Sequence, residues 1–213
     1  MREVAYALSC AKLRFGFLGR FLHARFLARE NKKHREILRK IASGKWLLDG
    51  GCGWGEHSKG FEKKAKWVVA LDITTFAMRG YGKCFPSAFR VKASLESLPF
   101  KPECIDNCVL QDCLEHVTSI REVLVQVRRV LKRGGVVVAT VPNWYNRFLD
   151  FNPSTQESHQ QYHTSIGWQK LFLEAGFASC SVRGIAFPIF NADVLAKHLH
   201  FLGAGVMLAA TKN

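Results

Sequence analysis

Lys45 to Ser58 reads KWLLDGGCGWGEHS. The apolar run Trp46-Leu47-Leu48 ends in a carboxylate, Asp49, and the chain then breaks into glycines at 50, 51, 53 and 55. A buried strand, a glycine-rich turn and a helix in succession are how α/β proteins build a nucleotide site. Glycines let the backbone approach a ligand closely and take up positive φ. The spacing predicts a first strand over 46–51 and a short polar helix over 56–65, whose free N–H groups would face the turn.

The turn is Gly51-x-Gly53-x-Gly55, and Glu56 stands where a dinucleotide fingerprint would place its third glycine. A second apolar run, Trp67 to Ile73, again carries a carboxylate at its end, Asp72, 17 residues beyond Gly55. A strand-end acid at that place accepts both hydroxyls of a ribose, or caps the helix that Thr74 and Thr75 open.

Strand and helix patterns alternate onward from here. Strands are expected over 89–93, 104–111, 136–141, 177–185 and 206–211, and helices over 74–81, from Ser119, over 165–175 and over 191–201. Ser119 and Glu122 make a capping-box pair. Ile120, Val123, Leu124, Val127 and Leu131 form a buried helical stripe that Gly134-Gly135 would stop. Apolar strands between helices imply a doubly wound α/β fold around a mostly parallel sheet covered on both faces. Residues 142–163 form a polar, aromatic-rich loop of the length that is usually functional.

The 213 residues carry a net charge of +14. Residues 1–45 hold twelve Lys and Arg against three Glu, and the remainder nineteen against fourteen acids. The stretch 1–44 reads as a basic helical segment ending at Gly44, with 45–213 as the domain that follows. Its charge suits an anionic partner such as RNA or an acidic lipid surface, or simply a solvated face. No run of about 18 apolar residues suggests a transmembrane helix, and no signal peptide is read at the N-terminus. Seven scattered cysteines fit reduced thiols in the cytoplasm rather than a disulfide framework. Cys104, Cys108 and Cys113 lack the C-x-x-C spacing of a zinc site, so no metal is expected.

Residues 91–117 read VKASLESLPFKPECIDNCVLQDCLEHV. Here the chain resembles the class I S-adenosylmethionine-dependent methyltransferases, in particular the small-molecule group that includes quinone-biosynthesis enzymes. Leu98-Pro99-Phe100, Ile105-Asp106 and Leu114-Glu115-His116-Val117 carry the resemblance, with Val130 to Gly135 and, later, His163, Trp168 and Leu171 to Phe177. It implies a Rossmann-like seven-stranded sheet of order 3-2-1-4-5-7-6 with the last strand antiparallel, S-adenosyl-L-methionine as cofactor and S-adenosyl-L-homocysteine as product. Asp49 would organise the glycine turn and face the sulfonium. Gly51, Gly53 and Trp54 would contact the amino-acid moiety, Asp72 the ribose and Ile73 the adenine. Ser94 and Leu95 would meet the adenine edge, and Gln111 would line the methionine arm. His116, His163 and Asp112 are the candidate bases. Tyr162, Trp144 and Tyr145 are further candidates for acceptor contact. The acceptor would be a small molecule methylated on O, N or C, with RNA or protein as the alternative. The sequence departs from the family pattern at Gly50, usually a larger apolar residue, and at Ser94, usually Asp, which implies a weaker hold on the cofactor.

Overall fold

The computed structural model describes residues 33–144, 160–185 and 205–213. Residues 33–40 are helical (α1). The other elements are β1 (Gly44–Gly50), β2 (Ala65–Asp72), α2 (Thr75–Cys84), β3 (Phe89–Lys92), β4 (Ile105–Gln111), α3 (Ile120–Val130), β5 (Leu131–Pro142), α4 (Ser165–Glu174), β6 (Ser179–Ile185) and β7 (Gly205–Thr211). The seven strands form one sheet in the order β3-β2-β1-β4-β5-β7-β6. β7 pairs antiparallel with both β5 and β6, and the other pairs are parallel. This is the doubly wound fold expected from the sequence.

Adjacent residues of the central strands point to opposite faces. Leu48, Leu110 and Val137 pack with Val123, Leu124 and Val127 of α3 and with Trp168 and Phe172 of α4. Leu47, Val109 and Val138 pack with Ile37, Ile41, Phe61 and Met207. Val123, Leu124 and Val127 are fully buried, each contributing about 1.5–3 kcal/mol. At the amino ends of the strands, Asp106 accepts the N–H groups of Lys45 (3.1 Å) and Trp46 (2.7 Å) and pairs with Lys132 (2.7 Å), tying β1, β4 and β5 together.

Four expectations change. Residues 56–65 form turns and one 3-10 turn, Phe61–Lys63, in place of a helix. Gly55 and Gly60 have φ of 81° and 93°, and two left-handed residues so close together interrupt an α-helical run. Gly44 does not cap a helix; it opens β1, where a Cβ would lie 2.8 Å from the Asp106 Cβ. The α3 helix ends at Val130, before the glycine pair. Gly134 and Gly135 instead lie inside β5, where the register shifts between Ile105 and Asn107 and Gly134 takes a φ of 73°. The capping box is half formed: the Ser119 hydroxyl accepts from the Glu122 N–H (3.3 Å), but the Ser119 N–H donates to Glu96 (2.8 Å). The readings for 1–32, most of the 142–163 loop and the 191–201 helix lie outside the described residues. No helix among the described residues is long and apolar enough to cross a membrane.

Candidate active site

The glycine turn leaves the carboxyl end of β1. Gly51, Gly53 and Gly55 all have positive φ, at 67°, 51° and 81°. The N–H groups of Gly51 and Cys52 both donate to the Leu71 carbonyl (2.8 and 3.1 Å), binding the turn to β2. Gly51 leaves no room for a side chain, since a Cβ would stand 2.6 Å from the Cys113 Cβ. Gly53 differs: nothing lies within 4 Å of where its Cβ would be, so this backbone borders open space.

Asp49 works from beneath the turn. It is 4% exposed and accepts hydrogen bonds from the Ser58 hydroxyl and, at 3.1 Å, the Tyr81 hydroxyl. Burial pushes its carboxyl up to about 6, against the pull of those two donors. Its hydrogen bonds therefore support the expected organising part, holding the loop after the turn to α2.

Asp72 braces the same turn from β2. One carboxylate oxygen accepts the Gly53 N–H (3.1 Å), and the other accepts the Thr74 N–H (2.9 Å) and hydroxyl (3.0 Å). The residue that caps α2 is Thr74, whose hydroxyl accepts from the Ala77 N–H (3.1 Å). Beyond Asp72, Ile73 and Phe76 are 65% and 68% exposed. Trp54 meets Phe76 edge-on with ring centroids 4.6 Å apart, and it packs over Gly80, where a Cβ would lie 2.5 Å from the indole. Ile73, Trp54 and Phe76 thus make an apolar rim beside the Asp72 carboxylate. Sequence reasoning missed Phe76, though a large apolar residue in the exposed first turn of a helix was its signal.

The resemblance singled out Ser94 and Leu95 in the β3–β4 connection. The Ser94 hydroxyl accepts from the Glu96 N–H (3.1 Å), shaping its own turn. Leu95 is buried against Gly50, where a Cβ would stand 2.9 Å from Leu95 Cδ2 and 2.8 Å from Leu110 Cδ2. The space that a larger residue at 50 would occupy is thus filled by these two leucines.

At the end of β4, Gln111 is 9% exposed and neither atom of its amide has a partner. A buried unpaired amide is rare in a folded protein and calls for an explanation such as a ligand. Asp112 follows in the left-handed region, at φ 48°. Its N–H donates to the Thr140 carbonyl (2.9 Å), and its side chain accepts from the Thr140 hydroxyl (2.8 Å) and pairs with Lys33. Lys33 was also missed, because nothing local in the sequence connects it to Asp112, 79 positions away. Glu115 is 2% exposed, with one carboxylate oxygen unpartnered. His116 ends the 3-10 turn Leu114–His116 and is exposed. His163 stands at the α4 side, its ring 4.9 Å from that of Trp168, and burial lowers its pKa. The Trp168 indole in turn donates to the Pro142 carbonyl (3.2 Å).

A family model for a methyltransferase domain matches residues 48–139, from the end of β1 into β5. The match covers 92 of the 213 residues and likens this part of the chain to a methyltransferase domain. A probable S-adenosylmethionine-dependent methyltransferase of Mycobacterium tuberculosis is 22% identical over 174 residues, covering 78% of this chain and 62% of its own length. The chain thus spans less than two thirds of that relative. A malonyl-[acyl-carrier protein] O-methyltransferase of Hamiltonella defensa is 29% identical over 93 residues, 44% of this chain and 36% of its own. Among solved structures, an S-adenosylmethionine-dependent methyltransferase of Mesorhizobium loti shares the fold at a TM-score of 0.68 and 18% identity, covering 86% of this chain and 98% of its own.

S-adenosyl-L-methionine is the cofactor that these relatives carry in their names, and the cleft at the glycine turn fits it by three observations. Gly53 presents backbone to open space, Gln111 offers both a free donor and a free acceptor, and an apolar rim flanks the Asp72 carboxylate. An amino-acid moiety asks for exposed backbone and polar partners, and a nucleoside asks for a carboxylate beside an apolar surface.

Proposed function

We propose that the chain transfers a methyl group from S-adenosyl-L-methionine to an O, N or C nucleophile of a small molecule. The observation that carries this is the orphaned Gln111 amide beside a glycine turn braced by Asp72. The cofactor supplies an activated methyl on a sulfonium, which a nucleophile displaces in line. Such a reaction asks the protein chiefly for positioning and exclusion of water. Gly51, Gly53 and the Trp54 backbone would hold the amino-acid end, and Gln111 would hydrogen-bond along the methionine arm. Asp72 keeps acceptor capacity for ribose hydroxyls beyond its three bonds to the turn. Ile73 and Leu95 would pack on the base, with Ser94 at its edge. Asp49 would tune the site from below.

His116, His163 and Asp112 remain the candidates to take a proton from the acceptor. The Leu98-Pro99-Phe100 and Leu114 to Val117 blocks resemble those of the small-molecule group that includes quinone-biosynthesis enzymes, which supports a small-molecule acceptor. We take 45–213 as the catalytic unit and 1–44 as its basic helical segment, whose end contributes Ile37 and Ile41 to the core. The twelve basic residues of 1–45 favour a second reading, transfer to RNA or protein, or docking on an acidic lipid surface.

Calorimetry with S-adenosyl-L-homocysteine and with NAD tests the cofactor. Binding of the first and not of the second is expected, and the reverse overturns the proposal. Incubation with methyl-labelled cofactor and separate small-molecule, RNA and protein fractions tests the acceptor. Label in the small-molecule fraction is expected, and label in RNA or protein alone decides for the second reading.

A further inference from the structure

Three polar side chains lie at and just beyond the end of β4: the unpartnered Gln111 amide, the Asp112 carboxylate and the buried Glu115 carboxyl. Their charges do not balance internally. Lys33 pairs with Asp112, and Thr140 donates to it as well, so that carboxylate is occupied on both oxygens. Glu115 has no such partner: it is 98% removed from solvent and its Oε2 meets no donor. A buried carboxyl with one oxygen left without a donor is costly, and a ligand that supplies the missing donor removes that cost.

The neighbours of Glu115 tie it to the carboxyl end of the sheet, beside the glycine turn. Cys113, between Asp112 and Glu115, lies under the glycine turn, where its thiol donates to the Gly50 carbonyl (3.5 Å) and its Cβ fills the space beside Gly51. The Glu115 backbone carbonyl accepts the N–H groups of Gln160 (2.8 Å) and Gln161 (3.1 Å), where the chain returns from the long loop. The Glu115 backbone is thus held between residues 160–161 and the stretch that runs under the glycine turn.

We propose that the acceptor is an amine and that Glu115 is the carboxylate that receives its ammonium group and takes a proton from it. This rests on the methyl-transfer reading above and adds the acceptor class. The bookkeeping is simple. Glu115 accepts one proton from R–NH3+, leaving a free nitrogen lone pair. That pair forms the N–CH3 bond as the C–S bond breaks, its electrons staying on sulfur. The product leaves as a methylammonium, and Glu115 returns its proton to water.

The chemistry of the residue suits the task. Burial pushes the Glu115 carboxyl up to about 8, Asp112 beside it pushes the same way, and Lys33 pulls it down. A base of that strength lies much closer to an alkylammonium than an ordinary carboxylate does, so proton transfer in either direction is facile. A neutral hydroxyl or a carboxylate acceptor would bring no cation to offset a buried negative charge.

The test uses the full chain with methyl-labelled cofactor. The probes are phenethylamine, phenethyl alcohol and phenylacetate, together with small metabolites of a cell extract split by cation exchange into amine and non-amine pools. S-adenosyl-L-homocysteine affinity is measured alongside. Label is expected in the amine pool. Glu115→Gln, nearly isosteric, should lower amine methylation at least about a hundredfold, while leaving the homocysteine product's affinity within about twofold and the unfolding midpoint in place. Glu115→Asp should recover part of the rate. Label only outside the amine pool, label nowhere, or undiminished amine methylation by Glu115→Gln overturns the proposal. Failure to bind S-adenosyl-L-homocysteine overturns instead the methyl-transfer reading on which it rests.

Discussion

Gly50 and Leu110 share one space. A Cβ on Gly50 would stand 2.8 Å from the Leu110 Cδ2, in neighbouring strands whose residues 50 and 110 are in register. The relationship explains a glycine at the end of a core strand, where no turn requires one. It also sets the distance between the glycine turn and β4.

Gly50→Ala should therefore destabilise the fold by about 1–3 kcal/mol, the usual cost of overpacking a filled core. Leu110 is fully buried and Leu95 nearly so, and neither has free volume to move into. Leu110→Ala added to Gly50→Ala should cost less than the two single changes together. Urea unfolding of the four proteins checks this, and strict additivity would disprove the shared space.

Asp49 makes stability depend on pH. In the folded chain it ionises at about 6, against 3.8 for an ordinary aspartate. Between those values the folded chain keeps a proton that the unfolded chain has released. Stability from this group is thus greatest below about pH 4, falls as pH rises to about 6, and stays reduced above, by about 3 kcal/mol in all. Asp49→Asn removes the titration. Its unfolding free energy relative to the native chain should rise by up to that amount between pH 4 and pH 7. A difference that does not change with pH would contradict the account.

Asp72→Ala should cost twice over. It removes a charged acceptor from the proposed ribose site, worth about 2 kcal/mol, and it releases the Gly53 N–H that positions the turn. Titration with S-adenosyl-L-homocysteine should show a loss of about thirtyfold or more. Unchanged affinity would remove Asp72 from the site.

Lys33 and Asp112 join α1 to the end of β4. Their side chains are 12% and 39% exposed, so water screens the pair only in part. A double-mutant cycle with Lys33→Met and Asp112→Asn should give a coupling of about 1 kcal/mol. A coupling of zero would mean that this pair adds nothing to the hold that Ile37, Ile41 and the Glu36–Arg183 ion pair have on α1.

The sheet order came from the family resemblance alone, whereas the alternation of strands and helices and the two strand-end carboxylates were legible because they rest on period and spacing, which the chain displays locally. Gly51 and Gly53 were legible for the same reason. The helix expected over 56–65 was not, because its polar residues match a helical surface while Gly60, in the middle, takes a left-handed conformation set by packing. A Cβ on Gly60 would meet Leu38 of α1 at 3.2 Å, a contact with a segment distant in sequence. Lys33 and Glu96 were missed on similar grounds. Their partners, Asp112 and the Ser119 N–H, are 79 and 23 positions away, and no local pattern marks such a bond. Gly50 looked like a departure from a pattern until Leu95 and Leu110 showed what stands in its place.

The placing of β7 governs the timing of assembly. Among the described residues β6 pairs with β7 and with no other strand, and β7 separates it from β5. Residues 179–185 are made before residues 205–211, so β6 has no strand to pair with until β7 follows, while β1 to β5 can already associate. A purified chain truncated after residue 190 should therefore keep a protease-resistant β1–β5 body and a cleavable stretch after α4. Extending the chain through Thr211 should protect both strands at once.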